Sequence, residues 1–183
     1  MPSPSPAIPR SRFAVLAAAA LLAACSPAFN WREVPIAGAG LVAMLPCKAD
    51  RATRALPLGT ESVQVDMTGC EAGGATFAIA HASANGPEQA EAWLRAWHTA
   101  TRGQLGEAQV TESAASVLRA TAVPAPLRLE TQPPQKGTAT PLQVLWFAQS
   151  QKDGSVALYQ ATVLGQPSSA EASKTFFEGL RLP

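Results

Sequence analysis

Cys25, Cys47 and Cys70 are the three cysteines of this chain, and His81 and His98 are its two histidines. Thiolates and imidazoles are the side chains best suited to nucleophilic, redox and metal chemistry near neutral pH. Their spacing supports little of it. No two cysteines form a C-x-x-C pair, and no cysteine or histidine stands at zinc-site spacing from another. Aspartates and glutamates do not gather beside either histidine, so no metal or other cofactor is expected. There is no G-x-S-x-G nucleophile elbow. The glycine runs Gly38-Ala39-Gly40 and Gly69 to Ala75 contain no G-x-G-x-x-G phosphate cradle. These exclusions point away from an enzyme.

Two other groups could bind rather than react. Trp93 and Trp97 recur at helical spacing and, with Trp146, could line a groove for an apolar ligand. A tryptophan stripe of this kind more often packs a core. Lys48, Arg51 and Arg54 form the one local basic cluster, read as a loop after Cys47 that could contact acidic groups. Asp50 dilutes it, and a solvated loop is the plainer reading. His81 follows Phe77 and Ile79 on one strand face, so it belongs at the edge of an apolar surface. His98 lies between Arg95 and Arg102, beside Trp97.

Cys25 has a distinctive context. Arg10 and Arg12 precede an apolar run from Phe13 to Leu22, followed by Ala23 and Ala24. A basic start, a short apolar stretch and small residues before a cut describe a secretory signal peptide. The run to Ala24 is shorter than the roughly 17–25 residues of a spanning helix. Leu22-Ala23-Ala24-Cys25 resembles the lipobox of bacterial lipoproteins. That resemblance implies cleavage before Cys25, a diacylglycerol thioether on its sulfur and an acylated amino terminus. More than one acyl chain gives stable anchoring. The organisation expected is a signal peptide over 1–24, a lipidated tether over 25–30 and one domain over 31–183. The location expected is the bacterial envelope, with the domain facing the periplasm.

Export also bears on the other cysteines. An oxidising compartment makes Cys47 and Cys70 a disulfide candidate, against the alternative of two buried thiols. The formal charge of the whole chain is +1 at pH 7. Loss of Arg10 and Arg12 with the leader leaves a slight acidic excess, which argues against nucleic acid as a partner. The partners expected are the membrane, through the anchor, and another envelope protein.

The elements that position these residues are partly readable. Leu41 to Leu45 is a short apolar strand bounded by Gly40 and Pro46. Val63, Val65 and Met67 alternate with Gln64, Asp66 and Thr68, and Ala75 to Ala82 resumes the extended pattern after Gly73-Gly74. The two make a β-hairpin. Pro87 and Glu88 open a helix that carries Ala90, Trp93, Leu94 and Trp97 on one face and stops near Gly103. Residues 104–126 fit a helix or a strand over Val117 to Val123 equally well. Leu127 to Gln132, Leu142 to Gln149 and Ser155 to Leu164 read as an antiparallel meander. Ser168 and Glu171 form a capping box for a final helix carrying Ala172, Phe176 and Leu180. The fold class is α+β, a mostly antiparallel sheet of about six strands covered by helices.

This order loosely resembles the PsbP-like α/β/α sandwich and small proteobacterial envelope lipoproteins. The segments that carry the resemblance are WREV, LVAMLPCK, VQVDMTGCEAGGATFAIA, YQATVLG and AEASKTFFEGLRL. It implies a binding or assembly factor with no catalytic residues to carry over. Beside this accessory role stand two others, a carrier of an apolar ligand between sheet and helix, and an enzyme of unknown type.

Overall fold

A computed structural model describes residues 28–36, 38, 40–131 and 140–183. Cys25 and the lipobox-like residues lie outside them. Among the described residues nine strands and two helices follow in order: β1 (Arg32–Ile36), β2 (Leu41–Leu45), β3 (Asp50–Leu58), β4 (Glu61–Ala72), β5 (Ala75–Ala84), α1 (Pro87–Gln104), β6 (Val110–Ala114), β7 (Leu127–Thr131), β8 (Leu142–Ser150), β9 (Val156–Gly165) and α2 (Ala170–Glu178). The main sheet has seven strands in the order β3-β4-β5-β9-β8-β7-β6, and every neighbouring pair is antiparallel. It is therefore two meanders, β3 to β5 and β6 to β9, joined along β5 and β9. β1 and β2 form a separate hairpin. The sheet is larger than the six strands expected.

Alternation in the sequence sorts the side chains onto two faces. On one face Val63, Val65, Ala80, Ala82, Ala84, Leu129, Val144, Trp146 and Leu158 pack against Ala90, Trp93, Leu94 and Trp97 of α1. The alanines of β5 leave room for the indole rings above them. α1 starts with proline in its first turn and Glu88 at the positive end of its dipole. On the other face Phe77, Ile79, Leu145, Phe147, Tyr159 and Val163 meet β1, β2 and the α2 residues Ala172, Phe176 and Phe177. Helices thus cover the sheet only in part, and a β-hairpin supplies much of the second cover. The hairpin is tied to the C-terminus by reciprocal bonds, Val42 N to Arg181 O and Arg181 N to Val42 O, both 2.9 Å.

Several local expectations need correction. The segment from Asp50 to Leu58 is a nine-residue edge strand, not a loop. An edge strand packs little, and nearly all its side chains are exposed, so its sequence carries no apolar alternation. Residues 104–126 hold the end of α1, the short strand β6 and an irregular stretch. Val117 is partly buried there, while Leu118 is 81 % and Val123 67 % exposed. Thr121 holds the stretch in place by donating from its backbone N to Ala148 O at 2.8 Å. The final helix is capped at Ser169 with no side-chain cap bond, so the Ser168–Glu171 capping box does not form. Ser168 N instead donates to Gly73 O at 2.7 Å.

Candidate functional site

The β4–β5 ladder runs from Ala72↔Ala75 to Asp66↔His81 and stops there. β4 continues to pair with β3 as far as Glu61, and β5 with β9 as far as Ala84. The two strands therefore part beyond Asp66 and His81. A cleft of about 330 Å³ opens at this end, lined by Glu61, Ser62, Val63, Gln64, Asp66, His81, Ala82, Ser83 and Trp93.

Its side chains are held from several elements. Glu61 is fixed by α1: Trp93 Nε1 donates to Glu61 Oε1 at 3.0 Å, and Gln89 Nε2 donates to Glu61 Oε2 at 3.2 Å. Gln89 in turn accepts from the Asn85 backbone N at 2.8 Å. Asp66 Oδ1 accepts from Thr53 Oγ1 on the edge strand. His81 is 9 % exposed, and neither ring nitrogen has a hydrogen-bond partner. Its ring leans on Tyr159, with centroids 5.2 Å apart. The Tyr159 hydroxyl shares its bond with the Leu41 backbone, and burial pushes its pKa up. Burial likewise holds the His81 imidazole below the usual histidine range, while the Asp66 carboxylate pulls weakly the other way. His81 is thus neutral at pH 7, with one donor and one acceptor.

The other residues singled out in the sequence lie elsewhere. Trp93, Trp97 and Trp146 are buried together between α1 and the sheet, and only Trp93 also borders the cleft. Trp146 is 1 % exposed, and its Nε1 donates to Gln160 Oε1 at 2.9 Å. The three basic residues do not converge. Lys48 lies in a shallow groove beside the two cysteines, Arg51 Nη2 donates to Pro35 O at 3.0 Å, and Arg54 falls on the opposite face of β3 from Arg51. His98 Nε2 sits 3.1 Å from Glu112 Oε1 and ties α1 to β6, with Arg102 Nε 3.5 Å from the same oxygen.

Cys47 and Cys70 are disulfide-bonded, with Cα atoms 6.0 Å apart. The strands they follow and sit in are not neighbours. β2 belongs to the small sheet and β4 to the large one, so the bond clips one to the other. Nearby, Phe29 and Trp31 stack at 6.0 Å, and both meet Phe77 edge-on. Phe29 also lies against Gly73, where a Cβ would come within 2.4 Å of its ring. The N-terminal segment thus joins the domain at the β4–β5 turn, the opposite end of β5 from the cleft.

Among the described residues, no group of three or more His, Cys, Asp and Glu side chains comes together as a metal site. Alternation with Phe77 and Ile79 put His81 at the edge of an apolar face, and the structure buries it there. The parting of β4 from β5, which opens the cleft beside it, left no mark in the pattern of either strand. No protein-family model and no curated protein matches this chain.

Proposed function

We propose that this chain is a lipid-anchored accessory protein of the bacterial envelope, a non-enzymatic factor that binds an envelope partner from the periplasmic side. The observation that carries the reading is polar. The chain joins the domain at the β4–β5 turn, through Phe29 and Trp31, and Cys25 stands three positions before Ala28. That short reach, about 10 Å when extended, would hold this turn against the bilayer once Cys25 carries lipid. The cleft would then face outward, about 30 Å away along the ten residues of β5. The resemblance to PsbP-like proteins, mostly binding or assembly factors, agrees with such a role. The space an apolar ligand would need between α1 and the sheet is filled by Trp93, Trp97, Trp146, Leu129, Val144 and Leu158, which weighs against the carrier reading.

Two measurements test it. The wild-type protein is expected in the membrane fraction with diacylglycerol on Cys25, and Cys25→Ala is expected to be unlipidated and released. Unmodified Cys25 in membrane-bound protein would overturn the anchor. Photo-crosslinkers placed at Gln64 and at Gln166 are expected to capture protein only at Gln64, the outward end. Capture at Gln166 alone would overturn the orientation.

A further inference from the structure

The seven-stranded sheet ends on one side at β3, and this edge is long and open. β3 has nine residues, and Asp50 to Ala55 are all exposed. The turn Gly59-Thr60 joins it to β4, with Leu58↔Glu61 as the closing pair and Gly59 at φ 70°. A two-residue turn of this kind closes on a hydrogen-bonded pair, and bonded and non-bonded pairs then alternate along the ladder. Alternate residues from Leu58 back to Asp50 therefore bond to β4, while Arg51, Thr53, Ala55 and Pro57 turn their backbone groups to the open side. Pro57 suits that position, because the N–H it lacks would not have bonded to β4. Among the described residues, Arg51, Thr53 and Ala55 make no backbone bond on that open side. The strand at the opposite edge, β6, has only five residues.

We infer that β3 receives an extended acidic segment of a partner protein as an added strand, antiparallel to it and paired over Arg51 to Ala55. Main-chain bonds to the three outward residues give the attachment, and side chains give the selection. The selecting charge is positive. Among the described residues, neither Arg51 nor Arg54 has a carboxylate partner, and Lys48 just before the strand has none. Arg51 spends one N–H on Pro35 O and keeps others free to donate. Asp66 beside them accepts from Thr53, and Asp50 is the one acid of β3. Arg51 and Arg54 stand three positions apart, so they lie on opposite faces of the sheet. The incoming strand thus needs one acid on each face, also three positions apart. Antiparallel pairing continues the pattern of every other pair in this sheet. Pro57 stops the added ladder, which guards the edge against open-ended pairing. A second copy of β3 would instead lay two cationic edges side by side, with both Arg54 side chains on one face. The inference goes beyond the reading above and does not rest on the lipid anchor.

The test titrates the full-length chain in non-ionic detergent into a fluorescein-labelled peptide, TVEVTEVT, whose glutamates stand three apart. Fluorescence anisotropy is expected to show saturable binding at sub-millimolar concentration. TVEVETVT has the same composition with both acids on one face, and is expected to bind about threefold more weakly. TVKVTKVT, with both acids made basic, is expected to lose more than about tenfold. N-methylation of the valine between the glutamates removes the N–H that would reach Thr53 O, and should abolish binding with the protein untouched. Ala55→Pro removes an outward N–H and leaves the β3–β4 ladder whole, as Pro57 does, and should abolish it too. Arg54→Glu is expected to weaken TVEVTEVT by about tenfold and to prefer TVKVTEVT, whose lysine faces position 54. No saturable binding, equal affinity for all the peptides, or binding unchanged by both Ala55→Pro and the N-methyl group would each overturn the inference. A chain that sediments as a dimer and becomes monomeric in Ala55→Pro would give the edge to a second copy and overturn it as well. Lipidation of Cys25 is read separately, so either result can fail without the other.

Discussion

His81 sets a local tension between burial and polarity. Two unpaired nitrogens in a residue 9 % exposed cost stability that an apolar ring would not. His81→Phe is therefore expected to raise the unfolding free energy by about 1–2 kcal/mol in urea melts, a gain where most core substitutions lose. The same residue gives a pH signature. Its folded pKa lies below the ordinary value of 6.5, because burial disfavours the charged ring. Between the two values the unfolded chain binds a proton that the folded chain does not. Stability contributed by His81 is therefore full above 6.5 and is lost as pH falls toward the folded value. The stability of the wild type minus that of His81→Phe should thus decrease between about pH 7.5 and about pH 5.5, and an unchanging difference would contradict this account. Trp97, by contrast, sits among apolar neighbours, and Trp97→Ala should cost about 3–5 kcal/mol in the same melts.

At the scale of elements, close approach of backbones decides two positions. Gly69 on β4 pairs with Ala78 on β5, and a Cβ there would meet Phe77 O at 2.6 Å. Gly69→Ala must push the central hairpin apart, and a loss of about 1–3 kcal/mol is expected from denaturant unfolding. The disulfide acts on a larger piece. It closes a loop with a sequence separation of 23, which holds all of β3 and most of β4, and fastens the small sheet to the large one. Reduction should cost about 2–4 kcal/mol. A thiol count on oxidised protein unfolded without reductant should find neither Cys47 nor Cys70 reactive.

These elements differ in how plainly the sequence announced them. β4 carries alternation because one of its faces is left open over much of its length, β8 and β9 read as near-continuous apolar runs because both faces are packed, and α1 carries its stripe because one face alone meets the sheet. β3 lacked that signal, since Arg51, Thr53 and Arg54 answer to water rather than to a core. The stretch after β6 mixes partly buried Val117 with exposed Leu118, and no regular period describes it. The cleft was the least legible feature. It depends on where one ladder ends, a property of two strands and their other neighbours together.

For the whole molecule, the joining of two meanders along β5 and β9 governs more than shape. β9 is the strand that both halves need, since it pairs with β5 on one side and β8 on the other. Among the described strands it is also the last in order, with α2 after it. A chain cut after Ser150 leaves the edge of β5 open and strips Leu158, Tyr159 and Val163 from the two cores. Such a fragment should collect in the insoluble fraction on expression, through unpaired edges and bare apolar faces. In a growing chain the same dependence acts as a clock. The β3–β4–β5 half can begin to pair from local contacts, but nothing can seal it until the closing strand, far along the sequence, has arrived. Until β9 has emerged, the first half keeps an open edge along β5 and a bare apolar face, however well its own hairpins have formed.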